Sequence, residues 1–151
     1  LETGVVKRYI TDFGTEDLLN KPNVTVFPHV GGSTGEAELN CAIMAGQTIR
    51  RFMETGEIVN SVNFPRVQQA LSAPYRITLI NKNVPNIVAR ISTAVSDFNI
   101  NIDNIINRSK GDYAYTLLDL DETDKSKIDE LVAKFEASDN IVRVRLIKGK
   151  K

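Results

Sequence analysis

Apolar and polar positions recur along this chain with two alternating periods, and the elements they predict are more regular in the second half than in the first. Val5 to Ile10 is β-prone and runs into the turn-rich Thr11-Asp12-Phe13-Gly14. Val24-Thr25-Val26-Phe27 predicts a short strand halted by Pro28. Ser33 and Glu36 have the spacing of a capping box, so a helix is expected to begin at Ser33. Ala42, Ala45, Ile49 and Phe52 give that helix an apolar stripe, Cys41 is expected to be a small core residue on it, and Gly56 is its natural stop. Ser61 to Pro65 reads as a short extended segment, and Arg66 to Ala73 has no clear period and is expected to be a linker.

Arg76 to Ile80 alternates as a strand does. Pro85 suits a first helical turn, and Ile87, Ile91, Ala94, Val95 and Phe98 then form one apolar face. Ile100 to Ile106 is a β-branched run, Gly111 marks a turn, and Tyr113 to Leu120 predicts a further strand. Ile128, Leu131, Val132 and Phe135 form a second helical face. Val142, Val144 and Leu146 then alternate with Arg143 and Arg145, a strand with one buried and one wet face. The order β-α-β-β-α-β, with Asn-containing links at Phe98-Asn99 and Asp139-Asn140, predicts an α+β, ferredoxin-like unit: a four-stranded antiparallel sheet with both helices on one face. Leu117 and Leu118 are adjacent and must point to opposite faces. One of them therefore sits on the helix-free side, which favours a covering partner and a homodimer.

Composition narrows the class. The 151 residues are 42% hydrophobic and 25% charged, ordinary for a soluble protein, and Lys plus Arg equals Asp plus Glu at 19 each. A neutral chain has no general attraction to nucleic acid or to an anionic membrane. A single cysteine excludes an internal disulfide, no apolar run approaches a membrane span, and no secretory signal is visible, so a cytoplasmic location is expected. The opening Leu1-Glu2, without methionine, suggests a piece of a longer protein. Lys148, Lys150 and Lys151 form a short basic tail, expected to be solvated. There is no metal-ligand cluster, P-loop or nucleophile paired with a base.

The first candidate site surrounds His29, the only histidine, in Pro28-His29-Val30-Gly31-Gly32-Ser33-Thr34. Glycines allow close backbone approach, a following helix offers unpaired N–H groups, and an imidazole exchanges protons near neutral pH. The plainer reading is a loop histidine beside a flexible turn. The run from Asn23-Val24 through this motif and Glu36-Ala37 to Ser61-Val62-Asn63-Phe64-Pro65 resembles the closing part of the D-3-phosphoglycerate dehydrogenases, within the D-isomer-specific 2-hydroxyacid dehydrogenases. The resemblance implies that His29 takes the substrate's hydroxyl proton while a hydride passes to NAD, and that His29, Val30, Gly31 and Gly32 lie along the nicotinamide end of the cofactor. The family also needs a carboxylate-binding arginine, a glutamate that orients the histidine, and a G-x-G-x-x-G fingerprint. None is identified in this sequence, so the chain alone is expected to be inactive and to bind NAD poorly.

The second candidate is Asn81-Lys82-Asn83-Val84-Pro85-Asn86, where a helix N-terminus and amide side chains could receive a small zwitterion. The plainer reading is a turn, since Asn caps backbone and tolerates left-handed conformation. Arg76 to Lys148 resembles an ACT domain, whose ligand loop has the form H-x-N-x-P-G followed by an asparagine at the start of the second strand. Asn83 and Pro85 match, and Asn101 falls at the second-strand position; Asn81 replaces the histidine and Asn86 the glycine. The resemblance implies an amino-acid effector, L-serine in the dehydrogenases, held by Asn81, Asn83 and Asn101 between two ACT domains.

A third reading is RNA binding, since RNA-recognition motifs share this element order and Lys110-Gly111-Asp112-Tyr113-Ala114-Tyr115 echoes their third strand. Asp112, the non-aromatic Thr78 and the neutral charge count against it, and Tyr113 and Tyr115 are expected to pack in the sheet or a dimer contact. The expected organisation is a remnant of the catalytic body over residues 1–66, a linker over 67–73 and an ACT domain over 74–148. The competing view is a stand-alone amino-acid-binding module with no enzymatic parent.

Overall fold

A computed structural model describes residue 1 and residues 3–149. Lys150 and Lys151 of the expected basic tail lie outside the described residues. The chain falls into two compact units, Leu1–Ala45 and Gly46–Lys151.

In the first unit, strand β1 (Tyr9–Thr11) pairs in parallel with β2 (Val24–Val26), and a single 3-10 turn (Glu16–Leu18) lies between them. The strand expected at Val5 to Ile10 is therefore shorter and starts later. Helix α1 (Gly35–Thr55) begins in this unit and crosses the division. Its cap is Thr34, whose hydroxyl accepts the Ala37 N–H at 3.1 Å, so the capping box expected from Ser33 and Glu36 is displaced by one residue. Counting from Thr34, the third helical position is Ala37, which has no side chain to reach back. No residue of α1 is buried. The stripe Ala42, Ala45, Ile49 and Phe52 is exposed, and Cys41 is exposed rather than in a core.

The second unit contains β3 (Tyr75–Lys82), α2 (Ile87–Ser96), β4 (Asn101–Lys110), β5 (Tyr113–Asp121), α3 (Lys125–Glu136) and β6 (Ile141–Lys148). The sheet order is β4-β5-β3-β6, antiparallel throughout. This is the ferredoxin-like fold. Tyr75, Ile77 and Leu79 of β3 and Leu118 and Leu120 of β5 meet Ile87, Ile91 and Val95 of α2 and Ile128, Leu131 and Phe135 of α3 in one core. Asp124 caps α3 through the Ser126 N–H at 2.9 Å. Pro85 stands before Asn86, the residue flanking α2, so it precedes the first helical turn instead of forming it.

The opposite face of the sheet is covered by the chain's own lead-in, residues 46–73. Leu117 and Tyr115 point there and pack with Ile58 and Val67, flanked by Phe64, Ile80 and Ile106. Ile58 and Val67 are joined by an isolated antiparallel bridge, and Ser61 to Pro65 forms no strand. The covering partner inferred from Leu117 and Leu118 is thus intramolecular. The expected linker over 67–73 is packed: Val67 is 1% and Ala73 5% exposed.

Arg76 fastens the cover. Its guanidinium is fully enclosed, with Nε donating to Asp119 Oδ1 at 2.5 Å and Nη2 to Oδ2 at 2.7 Å. The remaining N–H groups donate to the carbonyls of Thr55, Gln69 and Ala70 at 2.9, 2.8 and 3.1 Å. A bidentate partner plus three carbonyls satisfies all five donors, the condition under which a buried guanidinium is tolerated. On β6, Val144 and Leu146 face the helices as the alternation predicts, but Val142, expected with them, is 58% exposed, at the point where the pairing with β3 shifts register. The wet side is only partly wet, since Arg145 donates to the Phe52 and Met53 carbonyls and lies 5.1 Å from the Phe52 ring centre. Among the described residues no helix is long and apolar enough to cross a membrane.

Candidate functional site

The His29 loop is built by the short parallel ladder. Pairing Thr11 with Val26, and the bond from the Phe27 N–H to the Thr11 carbonyl at 3.1 Å, brings residues 12–13 beside residues 27–29. The Thr11 hydroxyl accepts the Phe13 N–H at 3.0 Å and fixes the turn. Asp12 Oδ2 then stands 3.1 Å from His29 Nδ1, and the Phe13 ring lies 4.4 Å from the imidazole, inclined at 59°. A carboxylate on Nδ1 favours the tautomer that carries its proton there, leaving Nε2 as the proton acceptor. The His29 side chain is 59% exposed, open enough for a substrate to reach it. A Cβ placed on Gly31 or Gly32 would meet nothing within 4 Å, so the chain's own packing does not require glycine at either position. Val30 is exposed beside them, its carbonyl accepting the Ser33 N–H at 2.9 Å.

The 81–86 turn is held from below. Asn81 is fully enclosed; its amide nitrogen donates to the Lys82 carbonyl at 3.0 Å and its oxygen accepts from Thr116 Oγ1 at 2.9 Å. Thr116 Oγ1 in turn accepts from Asn107 Nδ2 at 2.7 Å, a polar ladder across three strands on the helix side of the sheet. To reach a ligand, Asn81 would have to release one of these bonds. Asn83 is exposed; its backbone N–H donates to the Asp112 carbonyl at 2.8 Å and its side chain to the Gly111 carbonyl at 3.1 Å. Asn86 has φ +63°, the left-handed region where the ACT pattern has glycine, and asparagine is among the residues that tolerate it. Its side chain makes no cap, and the first amide of α2 is already used, the Ile87 N–H donating to the Val84 carbonyl at 3.3 Å.

Asn101 is not brought to this turn. It pairs with Asp121 at one end of β4, whereas Asn81 and Ser109 both pair with Ala114 near the other end. Eight residues of strand separate the two levels, about 25 Å. Within one chain Asn81 and Asn83 lie together and Asn101 lies apart.

Sequence reasoning missed Asp12 and Phe13 as neighbours of His29. Thr11-Asp12-Phe13-Gly14 was legible only as a turn, and the strand pairing that carries it to His29 is a tertiary fact. The face an RNA-recognition motif would use is covered at Tyr115, which is 2% exposed with its hydroxyl donating to the Gly56 carbonyl at 2.7 Å beneath the lead-in, whereas Tyr113, expected to pack with it, is 48% exposed. Among the described residues no group of acidic, cysteine or histidine side chains could hold a metal ion.

No family model matches the chain. D-3-phosphoglycerate dehydrogenase 2 of Saccharomyces cerevisiae is 31% identical over 139 residues, covering 88% of this chain and 29% of the relative. The D-3-phosphoglycerate dehydrogenase of Dictyostelium discoideum is 30% identical over 132 residues, 87% of this chain and 31% of that protein. The Escherichia coli K12 enzyme of the same name is 26% identical over 133 residues, 88% of this chain and 32% of that protein. The chain thus spans about three tenths of the length of the curated relatives it matches. Among solved structures, the ACT domain from GTP pyrophosphokinase of Chlorobium tepidum superposes with a TM-score of 0.44 at 18% identity, covering 48% of this chain and 95% of that one. Over nearly its whole length, the chain is similar in sequence to part of the D-3-phosphoglycerate dehydrogenases, and its second unit has the ferredoxin-like order expected of an ACT domain.

Proposed function

We propose that this chain supplies the histidine loop and the amino-acid-sensing ACT part of an NAD-dependent D-3-phosphoglycerate dehydrogenase, an enzyme of serine synthesis acting in the cytoplasm. On this reading residues 1–66 belong to the catalytic body, 67–73 lead into the regulatory part, and 74–148 form the ACT domain. The observation that carries the proposal is the coincidence of a similarity spanning both units with an open His29 held by a carboxylate.

NAD, when bound, supplies the hydride acceptor. The residues present fit its nicotinamide edge, because Gly31 and Gly32 offer unobstructed backbone beside His29. His29 accepts the hydroxyl proton of 3-phosphoglycerate at Nε2, Asp12 holds the ring by Nδ1 and stabilises the resulting imidazolium, and Phe13 limits its tilt. With no glycine-rich nucleotide fingerprint in the sequence, the 151 residues by themselves are expected to show no turnover. NADH formation from 3-phosphoglycerate by the isolated chain, followed at 340 nm (about the absorbance band of the reduced nicotinamide), would refute this.

The effector is an amino acid, L-serine by resemblance, taken at the 81–86 turn. Asn83 and the α2 amides that follow Ile87 receive its carboxylate, and Asn81 either stiffens the turn or exchanges Thr116 for the ligand. Since Asn101 lies about 25 Å along the sheet from the turn of its own chain, a site using all three asparagines is one in which a second copy contributes Asn101. Calorimetric titration with L-serine and with other amino acids tests this. Saturable heat that Asn83→Ala and Asn101→Ala both weaken supports it. A folded protein that takes up none of them removes the sensor reading and leaves the dehydrogenase similarity intact.

A further inference from the structure

We propose that the second unit carries an oxyanion-binding site, separate from the 81–86 turn, between the lead-in and the edge strand β4. A cavity of about 350 Å³ there is lined by Arg66, Gln68, Ile106 and Arg108. Ile106 and Arg108 are two residues apart on β4, so they share the face that the lead-in covers. Ile106 packs against the cluster of Ile58, Val67, Tyr115 and Leu117, which gives the cavity a fixed apolar floor. Arg66 and Gln68 flank Val67, which is pinned to Ile58 by a bridge, so their backbone is also fixed.

The donors at this site outnumber the acceptors. Arg66 Nε donates to Gln68 Oε1 at 2.7 Å, which occupies the amide oxygen and turns the Gln68 NH2 group into a free donor. Arg108 makes no side-chain hydrogen bond or ion pair among the described residues. No carboxylate lines the cavity. Lys110, next along the same face, donates to the Val62 carbonyl at 2.5 Å and adds a third positive charge to the same edge. In a chain whose charges balance overall, two exposed arginines line one cavity that no carboxylate lines, so its local field is positive. An acceptor-only ligand complements that field. The planar N–H fork of arginine matches paired oxygens, so the ligand class is a small phosphate ester or carboxylate. Such a ligand would bridge the lead-in to the sheet edge and stabilise the unit in proportion to its occupancy.

The test is a titration of the whole 151-residue chain, at constant ionic strength, with inorganic phosphate and separately with succinate, followed by nitrogen–proton spectra of the backbone and arginine Nε groups. Saturable shifts confined to residues 66–68 and 106–110 are expected. Arg108→Ala and Arg66→Ala should each weaken them about tenfold or more, and Arg108→Lys, which keeps the charge and loses the fork, should weaken them less. Arg143→Ala, which removes an exposed charge from the other edge strand, should leave affinity unchanged. Saturation by phosphate alone assigns a phosphate ester, and saturation by succinate alone a carboxylate. Shifts that stay linear with both anions overturn the proposal, as does an Arg143→Ala effect equal to that of Arg108→Ala.

Discussion

The two units use apolar side chains in opposite ways. In residues 1–45 no described residue is buried, and Ile10, Phe13, Val30 and Leu39 are all more than half exposed. In the second unit every strand contributes to an interior, and all the buried hydrophobic residues lie between Ile58 and Ile147. The difference is one of closure. A parallel ladder of three-residue strands cannot enclose anything, whereas four antiparallel strands with helices on one side and a lead-in on the other exclude water from both faces. The histidine loop therefore belongs to the part whose local order rests on turns, one cap and one ladder, and the turn of the candidate effector site belongs to the part with a core.

The largest test of that contrast is Asp119→Ala. It leaves the Arg76 guanidinium charged, enclosed and short of its carboxylate, and should cost about 3–5 kcal/mol of stability in denaturant unfolding. A loss below about 1 kcal/mol would mean that water reaches the guanidinium. Next is a matched pair: Leu118→Ala should cost roughly 2–5 kcal/mol, while Ile10→Ala, at 66% exposure, should stay within about 0.5 kcal/mol. Equal costs would erase the distinction between the units. Thr34→Ala should cost about 1 kcal/mol of helix stability, read as faster amide exchange at Glu36 to Glu38 with the second unit unaffected.

The smallest effect sharpens the description of the cover. Burial holds the Tyr115 hydroxyl above its ordinary value of 10.0. The folded state therefore keeps the proton that the unfolded state loses first. Stability from this group is complete below about pH 10 and falls as pH rises through the folded value. Tyr115→Phe should lose about 1 kcal/mol at neutral pH, from the bond to the Gly56 carbonyl, and show a shallower alkaline decline in melting temperature. An unchanged alkaline slope would place the hydroxyl in solvent.

The second unit was largely legible in the sequence because its periods are uninterrupted. Ile87, Ile91 and Val95 are buried as the helical spacing requires, and Leu117 and Leu118 do point to opposite faces. What covers Leu117 was not legible, because residues 57–73 follow no period: their positions are set by one bridge, by Glu57 accepting the Gln69 N–H at 2.7 Å, and by Arg76. Contacts of that kind are made across sequence, and composition does not encode them. The cap at Thr34 was misplaced by one residue because Ser33 and Thr34 are chemically equivalent and only backbone geometry chooses between them. At the candidate sites, residue type alone left His29, Asn81 and Asn83 open to a plain loop or turn reading, and the family resemblance singled them out. The neighbour of His29 and the separation of Asn101 from the turn depend on pairing register, which residue type does not encode.

The arginine in β3 has a consequence for how such a unit can be transplanted between proteins. Its acceptors include carbonyls at residues 55, 69 and 70, ahead of the first strand. A recombination joint cut where the sheet begins would carry off a cation stripped of three of its oxygens. The smallest heritable cassette is therefore longer than the fold it delivers, and its left border lies inside the preceding helix.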